Sequence, residues 1–111
     1  MVEIPMGKKG GITVAAEKIH IHADSELQEF LPKYLENRKR DLEVLKSAMS
    51  SSDFKTVQVI SHKIRGHALS YGFDPLSGIC AKIERAAVEK NSDIIISLLN
   101  EYRDYIERVE L

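Results

Sequence analysis

Phe54-Lys-Thr-Val-Gln-Val-Ile-Ser-His62-Lys-Ile-Arg-Gly-His-Ala-Leu-Ser-Tyr-Gly72 is the stretch on which the reading of this chain turns. At 100° per residue it divides into an apolar side and a chemical side. Val57, Ile60, Ile64, Ala68 and Tyr71 share one broad face that a helix would have to bury. His62 points almost the opposite way. Lys55, Gln58, Val59, Arg65, Gly66 and Leu69 lie within about 60° of it on the helical wheel. An imidazole on a solvent face, with a guanidinium one turn on, is placed to act as a nucleophile or a ligand. Gly66 sits one turn above the ring. Glycine inside a helix costs roughly 1 kcal/mol relative to alanine, and the missing side chain clears a path for another molecule to reach His62. Two plainer readings stay open: Gly66 permits close helix packing, and His62 is one more surface polar residue.

Composition bounds the rest. The 111 residues make one domain, long enough for its own core. A hydrophobic content of 43% with 30% charged residues belongs to an ordinary globular chain. Three prolines, no tryptophan and abundant Leu, Ile, Glu and Lys favour an all-α fold. There is no apolar run of membrane-spanning length and no signal-peptide pattern, so membrane association is not expected. A formal charge of −1 argues against nucleic acid as a partner. The single cysteine, Cys80, fits a reducing cytoplasm.

Taken in order, residues 1–23 read as a flexible or extended arm and residues 24–111 as a helical bundle. Two Gly-rich turns within Met6–Gly11 punctuate the arm, and residues 12–23 alternate towards an extended segment lying on the bundle. His20 and His22 share a strand face there, but no acidic or Cys partner completes a metal site. Asp24 or Ser25 is placed to cap a short helix near 25–30. Leu27, Phe30, Leu31, Tyr34, Leu35, Leu42, Leu45 and Met49 recur at helical spacing, and Pro32 divides the pattern into that short helix and a longer one from about residue 32 to 50. The run Glu36–Asp41 reads as a solvated face. Ser50-Ser-Ser-Asp53 breaks this helix and caps the His62 helix, which runs to about Tyr71, and Gly72 ends it in a left-handed turn. Asp74 as the capping side chain, followed by Pro75 at the first position, starts the next helix, where Cys80 lies on the apolar stripe and Gly78 suggests close helix approach. Asn91-Ser92-Asp93 caps the last, whose stripe is Ile95, Leu98, Leu99, Tyr102, Ile106 and Val109. Short connections predict an antiparallel up-down four-helix bundle.

The segment His62-Lys63-Ile64-Arg65-Gly66-His67-Ala68, with Gly72 following, resembles the phosphoacceptor motif of histidine-containing phosphotransfer (HPt) domains of bacterial two-component signalling. The likeness continues through Leu76 and through Ile83-Glu84, where that family often carries Leu-Glu, and upstream into Phe30–Asp41. It covers roughly residues 24–105. Arg65 stands where Lys is commoner and preserves the charge. His67 stands where a small residue is usual, about 140° from His62, and reads as a structural, hydrogen-bonded histidine.

What the resemblance implies is phosphate relay. His62 would accept a phosphoryl group from a receiver-domain phosphoaspartate and pass it to another response regulator. Arg65 and Lys63 would stabilise the phosphorylated ring, and Gly66 would leave room. Neutral imidazole is the nucleophile such transfer requires. Magnesium would belong to the receiver, and this chain carries neither a cofactor or metal site of its own nor a nucleotide loop, so no ATP-dependent kinase activity is expected. Lys55, Gln58, Val59 and Leu69 form the expected docking patch for receiver domains or a hybrid sensor kinase. The chain is expected to be a cytoplasmic monomer. Two rivals remain: a helical adaptor that binds receivers without phosphorylation, and a small metal-dependent hydrolase using His62 and His67.

Overall fold

The His62 segment is helical because both its ends are secured locally. In the computed structural model, which describes residues 17–111, Asp53 is the N-cap of Phe54–Ala68. Its carboxylate accepts the Thr56 N–H at 3.1 Å and the Thr56 hydroxyl at 2.7 Å. These two bonds, the hydroxyl's foremost, hold the exposed carboxyl below its ordinary pKa. Beyond Ala68 the chain winds on through single turns to Gly72, at φ 86°. There the Phe73 N–H returns to the Ala68 carbonyl at 2.9 Å and the Gly72 N–H to Leu69 at 3.0 Å, a Schellman ending.

The described residues contain four α-helices, α1 (Leu31–Ser50), α2 (Phe54–Ala68), α3 (Asp74–Val88) and α4 (Ser92–Arg108). A 3-10 turn, Ser25–Phe30, precedes α1. Two-residue strands, β1 (Ile19–His20) and β2 (Val109–Glu110), pair in parallel with Ile19 opposite Val109. Each helix packs on its chain neighbours and α1 closes against α4, with α2 and α3 the most extensive pair. Leu45, Val57, Ile64, Phe73, Leu76, Cys80, Ile83, Ile95 and Tyr102 are fully enclosed. Burial of this kind contributes about 1.5–3 kcal/mol per large side chain. It also pushes the Cys80 thiol up to about 12, so Cys80 is a small core hydrophobe.

An aromatic group closes the end of the bundle where α2 terminates. Tyr34 stacks on Tyr71 at 4.1 Å and meets Phe73 at 5.0 Å. Here the arm crosses Gly72: a Cβ at that position would lie 2.6 Å from the His22 carbonyl oxygen. Gly72 is thus required twice, for its backbone angle and for the passing chain. The Gly-rich turns of residues 6–11 and the arm before Glu17 lie outside the described residues.

Several expectations are corrected. Neither Asp24 nor Asp74 caps through its side chain. The N-cap of α3 is Phe73, whose carbonyl accepts the Ser77 N–H, and Asp74 lies within the first turn. Phe30 is 51% exposed, because the 3-10 turn carries it off the α1 stripe. Gly78 faces open space, so it does not bring helices together. The Glu36–Asp41 run is not uniformly solvated. Arg38 lies with its guanidinium 4.3 Å over the Tyr34 ring and donates from Nε to Asp41 at 2.9 Å. Tyr105, absent from the expected α4 stripe, is buried, while Val109 has left the helix for β2.

The helix endings carry a stability prediction. α1 and α3 finish in the same Schellman geometry as α2, but with Ser52 (φ 54°) and Lys90 (φ 55°) in the left-handed position. A side chain there costs roughly 1 kcal/mol, so Lys90→Gly is expected to stabilise the fold by about 0.5–1 kcal/mol. A rise in the denaturation midpoint with an unchanged m-value supports this; an unchanged or lower midpoint contradicts it.

Candidate functional site

Small residues on the facing sides of α2 and α3 let the two helices lie close. Ser61, Ala68, Ser77 and Cys80 are all buried. Ser77 Oγ donates to the Arg65 carbonyl at 3.0 Å and sets the register between the helices. That register places Glu84 of α3 beside His62 of α2.

The imidazole is 59% exposed. Its Nδ1 lies 2.9 Å from Glu84 Oε2, and Arg65 Nε lies 3.3 Å from Glu84 Oε1. Arg65 Nη2 also approaches Nδ1 at 3.4 Å. Arginine and a carboxylate cannot both be served by one ring nitrogen, since the first needs an acceptor and the second a donor. The shorter, charge-assisted contact decides: Nδ1 carries the hydrogen and donates it to Glu84. Nε2 then holds the lone pair and has no hydrogen-bond partner among the described residues.

The remaining expected residues fall around this centre. Gly66 is exposed, and a Cβ there would meet nothing within 4 Å, so the face above the ring is open. Lys63 is exposed and lines, with Gln58, Val59 and Glu84, a shallow depression around His62. Val59 is 39% and Leu69 58% exposed. Lys55 is exposed and Gln58 half-buried. The one residue of this constellation that was not assigned a role from sequence is Glu84. Its signal lay in the Ile83-Glu84 pair, but its duty depends on a partner on another helix.

His67 does not join the site. Its Nδ1 shares a hydrogen bond of 2.7 Å with the Tyr34 hydroxyl, and the two rings meet edge-on at 5.4 Å. Burial holds its imidazole below the ordinary value, with the Arg38 cation adding to this and Asp41 opposing it. The hydrolase that would pair His62 with His67 therefore has no geometry to use.

The family model described as Hpt domain matches residues 29–110. The chain belongs to the Hpt domain family. No match was found to a curated protein or to a solved structure. Hpt domains are phosphotransfer intermediates of phosphorelays, not kinases, and they interact with receiver domains of response regulators and hybrid kinases. In this Hpt domain His62 lies mid-helix in α2 and open to water. Among its described residues no helix is long and apolar enough to cross a membrane.

The inward histidine of this Hpt domain has a measurable consequence. Folded His67 binds a proton less readily than the unfolded chain, whose imidazole titrates near about 6.5. The stability it contributes is full above that value and declines as pH falls through it towards the lower folded value. The difference in unfolding free energy between wild type and His67→Gln should shrink as pH is lowered below about 6.5. A difference that is flat or grows on acidification contradicts the assignment.

Proposed function

We propose that His62 accepts a phosphoryl group from the phosphoaspartate of one receiver domain and relays it to the aspartate of another. The observation that carries this reading is the 2.9 Å contact between Nδ1 and Glu84, which leaves Nε2 as the exposed nucleophile. Nε2 attacks phosphorus, an N–P bond forms, and the P–O bond to the aspartyl carboxyl breaks. The carboxylate leaves with the electron pair. The Nδ1 proton stays against Glu84, so the positive charge gained by the ring meets a carboxylate. In the second step the acceptor aspartate attacks phosphorus and the ring departs as neutral imidazole.

Arg65, within 3.3 Å of Glu84, adds a cation beside the ring that favours the phosphoryl oxygens, and Lys63 supplies a second at the rim. Gly66 admits the incoming aspartyl phosphate. Val59 and Leu69 provide exposed apolar contacts for the receiver, with Lys55 and Gln58 at the edge. Magnesium and the acidic pocket belong to the receiver. The chain itself needs no ATP-dependent kinase activity, and it acts as a cytoplasmic monomer. The short turns at residues 51–53, 69–73 and 89–91 support an antiparallel up-down course. Residues 24–111 then form the bundle, after an arm over residues 1–23.

The test is incubation with a phosphorylated receiver, following acid-labile, base-stable label. Transfer to the wild-type chain and onward to a second receiver supports relay. Binding without label supports the adaptor reading instead. Glu84→Ala should slow uptake roughly 10- to 100-fold, by analogy with carboxylates that fix an imidazole tautomer. Its ring nitrogen NMR shifts should lose the Nδ1–H pattern. An unchanged rate with an unchanged tautomer contradicts the role given to Glu84.

A further inference from the structure

The α2–α3 face carries His62. On the other side of the helical ring, α1 and α4 leave an apolar groove between them, lined by Leu42, Met49, Leu99, Ile96, Lys46 and Arg103, with Ser50 and Asn100 at its edges. Leu42 and Leu99 form the floor, and Ile96 stands 52% exposed at the lip. From Leu42 to Met49 the α1 wall runs about 10 Å, two turns of helix. Met49 adds a soft, adaptable contact of the kind used at binding surfaces.

The charges in this groove are all of one sign. Lys46 of α1 and Arg103 of α4 both line it, and no Asp or Glu does. Lys46 Nζ approaches Glu43 at 3.6 Å, but both side chains are well exposed and such a pair is held weakly. We propose that this groove is a docking site for an amphipathic helix of another protein, carrying an apolar stripe flanked by carboxylates. The apolar stripe fills the floor, and the carboxylates pair with Lys46 and Arg103 on the two walls. Because the groove lies across the bundle from His62, a helix held there leaves the phosphotransfer face open. Such a contact raises the effective concentration of a tethered partner at His62 without occupying it.

The probe is a synthetic helical peptide of about four turns, with leucine along one face and glutamate on both flanks. It is titrated into the full chain while side-chain methyl resonances are followed. Saturable shifts at Leu42, Met49, Ile96 and Leu99, without shifts at Val59 and Leu69, support the proposal. A peptide with lysine in place of glutamate should bind at least tenfold more weakly. Lys46→Glu combined with Arg103→Glu should reverse that preference. Shifts confined to the His62 face, equal affinity for the two peptides, or no binding at millimolar peptide overturn it. Groove shifts that depend on protein concentration alone assign the surface to a second copy, and contacts from residues 1–16 assign it to the chain itself. Either result also overturns the proposal.

Discussion

His62→Gln protein, mixed with a phosphorylated receiver domain, takes up no acid-labile phosphate above background, while the wild type is labelled. Glutamine approximates the length and polarity of the imidazole but offers no nucleophilic nitrogen. The ring is more than half exposed and its contacts are to Glu84 and Arg65 at the surface. The substitution should therefore shift unfolding free energy by no more than about 0.5 kcal/mol. Loss of label with an unchanged denaturation curve separates chemistry from folding. Full labelling of the variant would mean that another group takes the phosphate.

The second large effect is expected at Gly66, where stability and activity should move in opposite directions. A Cβ at this position meets nothing within 4 Å, and the residue lies inside α2. Gly66→Leu should then stabilise the isolated domain by about 0.5–1 kcal/mol, through helix propensity alone. The same side chain would stand one turn above His62, in the space an incoming aspartyl phosphate must cross. In-line transfer tolerates little displacement, and a misplacement near 1 Å costs about 100-fold. A rise in midpoint together with a phosphate-uptake rate at least about tenfold lower is the expected result. If Gly66 served helix packing instead, the variant would lose stability. If the open space were irrelevant, the rate would not change.

These two residues show what the sequence could and could not disclose. The helices, the capping segments at residues 50–53 and 91–93 and the left-handed Gly72 were legible because each depends on residues a few positions apart, and the structure places the caps at Asp53 and Asn91. The exposure of His62 followed from helical period alone. Glu84 could be seen as part of a pattern, but its bond to His62 crosses 22 residues and depends on how α2 and α3 register, which Ser77 helps to set. Arg38 was hidden for a similar reason: within a charged run nothing local says that one guanidinium will lie over Tyr34. Gly78 misled because a small residue on a helix has the same letter whether it faces a neighbour or water. The parallel pairing of Ile19–His20 with Val109–Glu110 joins opposite ends of the chain through two residues each, too short for any periodic signal.

The outcome for Gly72 illustrates how one position can satisfy a local and a distant demand together. Its turn was readable from the end of the apolar pattern. The His22 carbonyl passing over it was not, since that contact joins the arm to the far end of α2.

Phosphate relay by this Hpt domain would turn on one nitrogen, Nε2 of His62. Ring-nitrogen NMR of isotope-labelled protein, phosphorylated by a receiver and read through nitrogen–phosphorus coupling, identifies the atom that carries the phosphate. Phosphorus on Nε2 of His62, with a hydrogen retained on Nδ1, is the expected result. Phosphorus on Nδ1, or on any other residue, contradicts it.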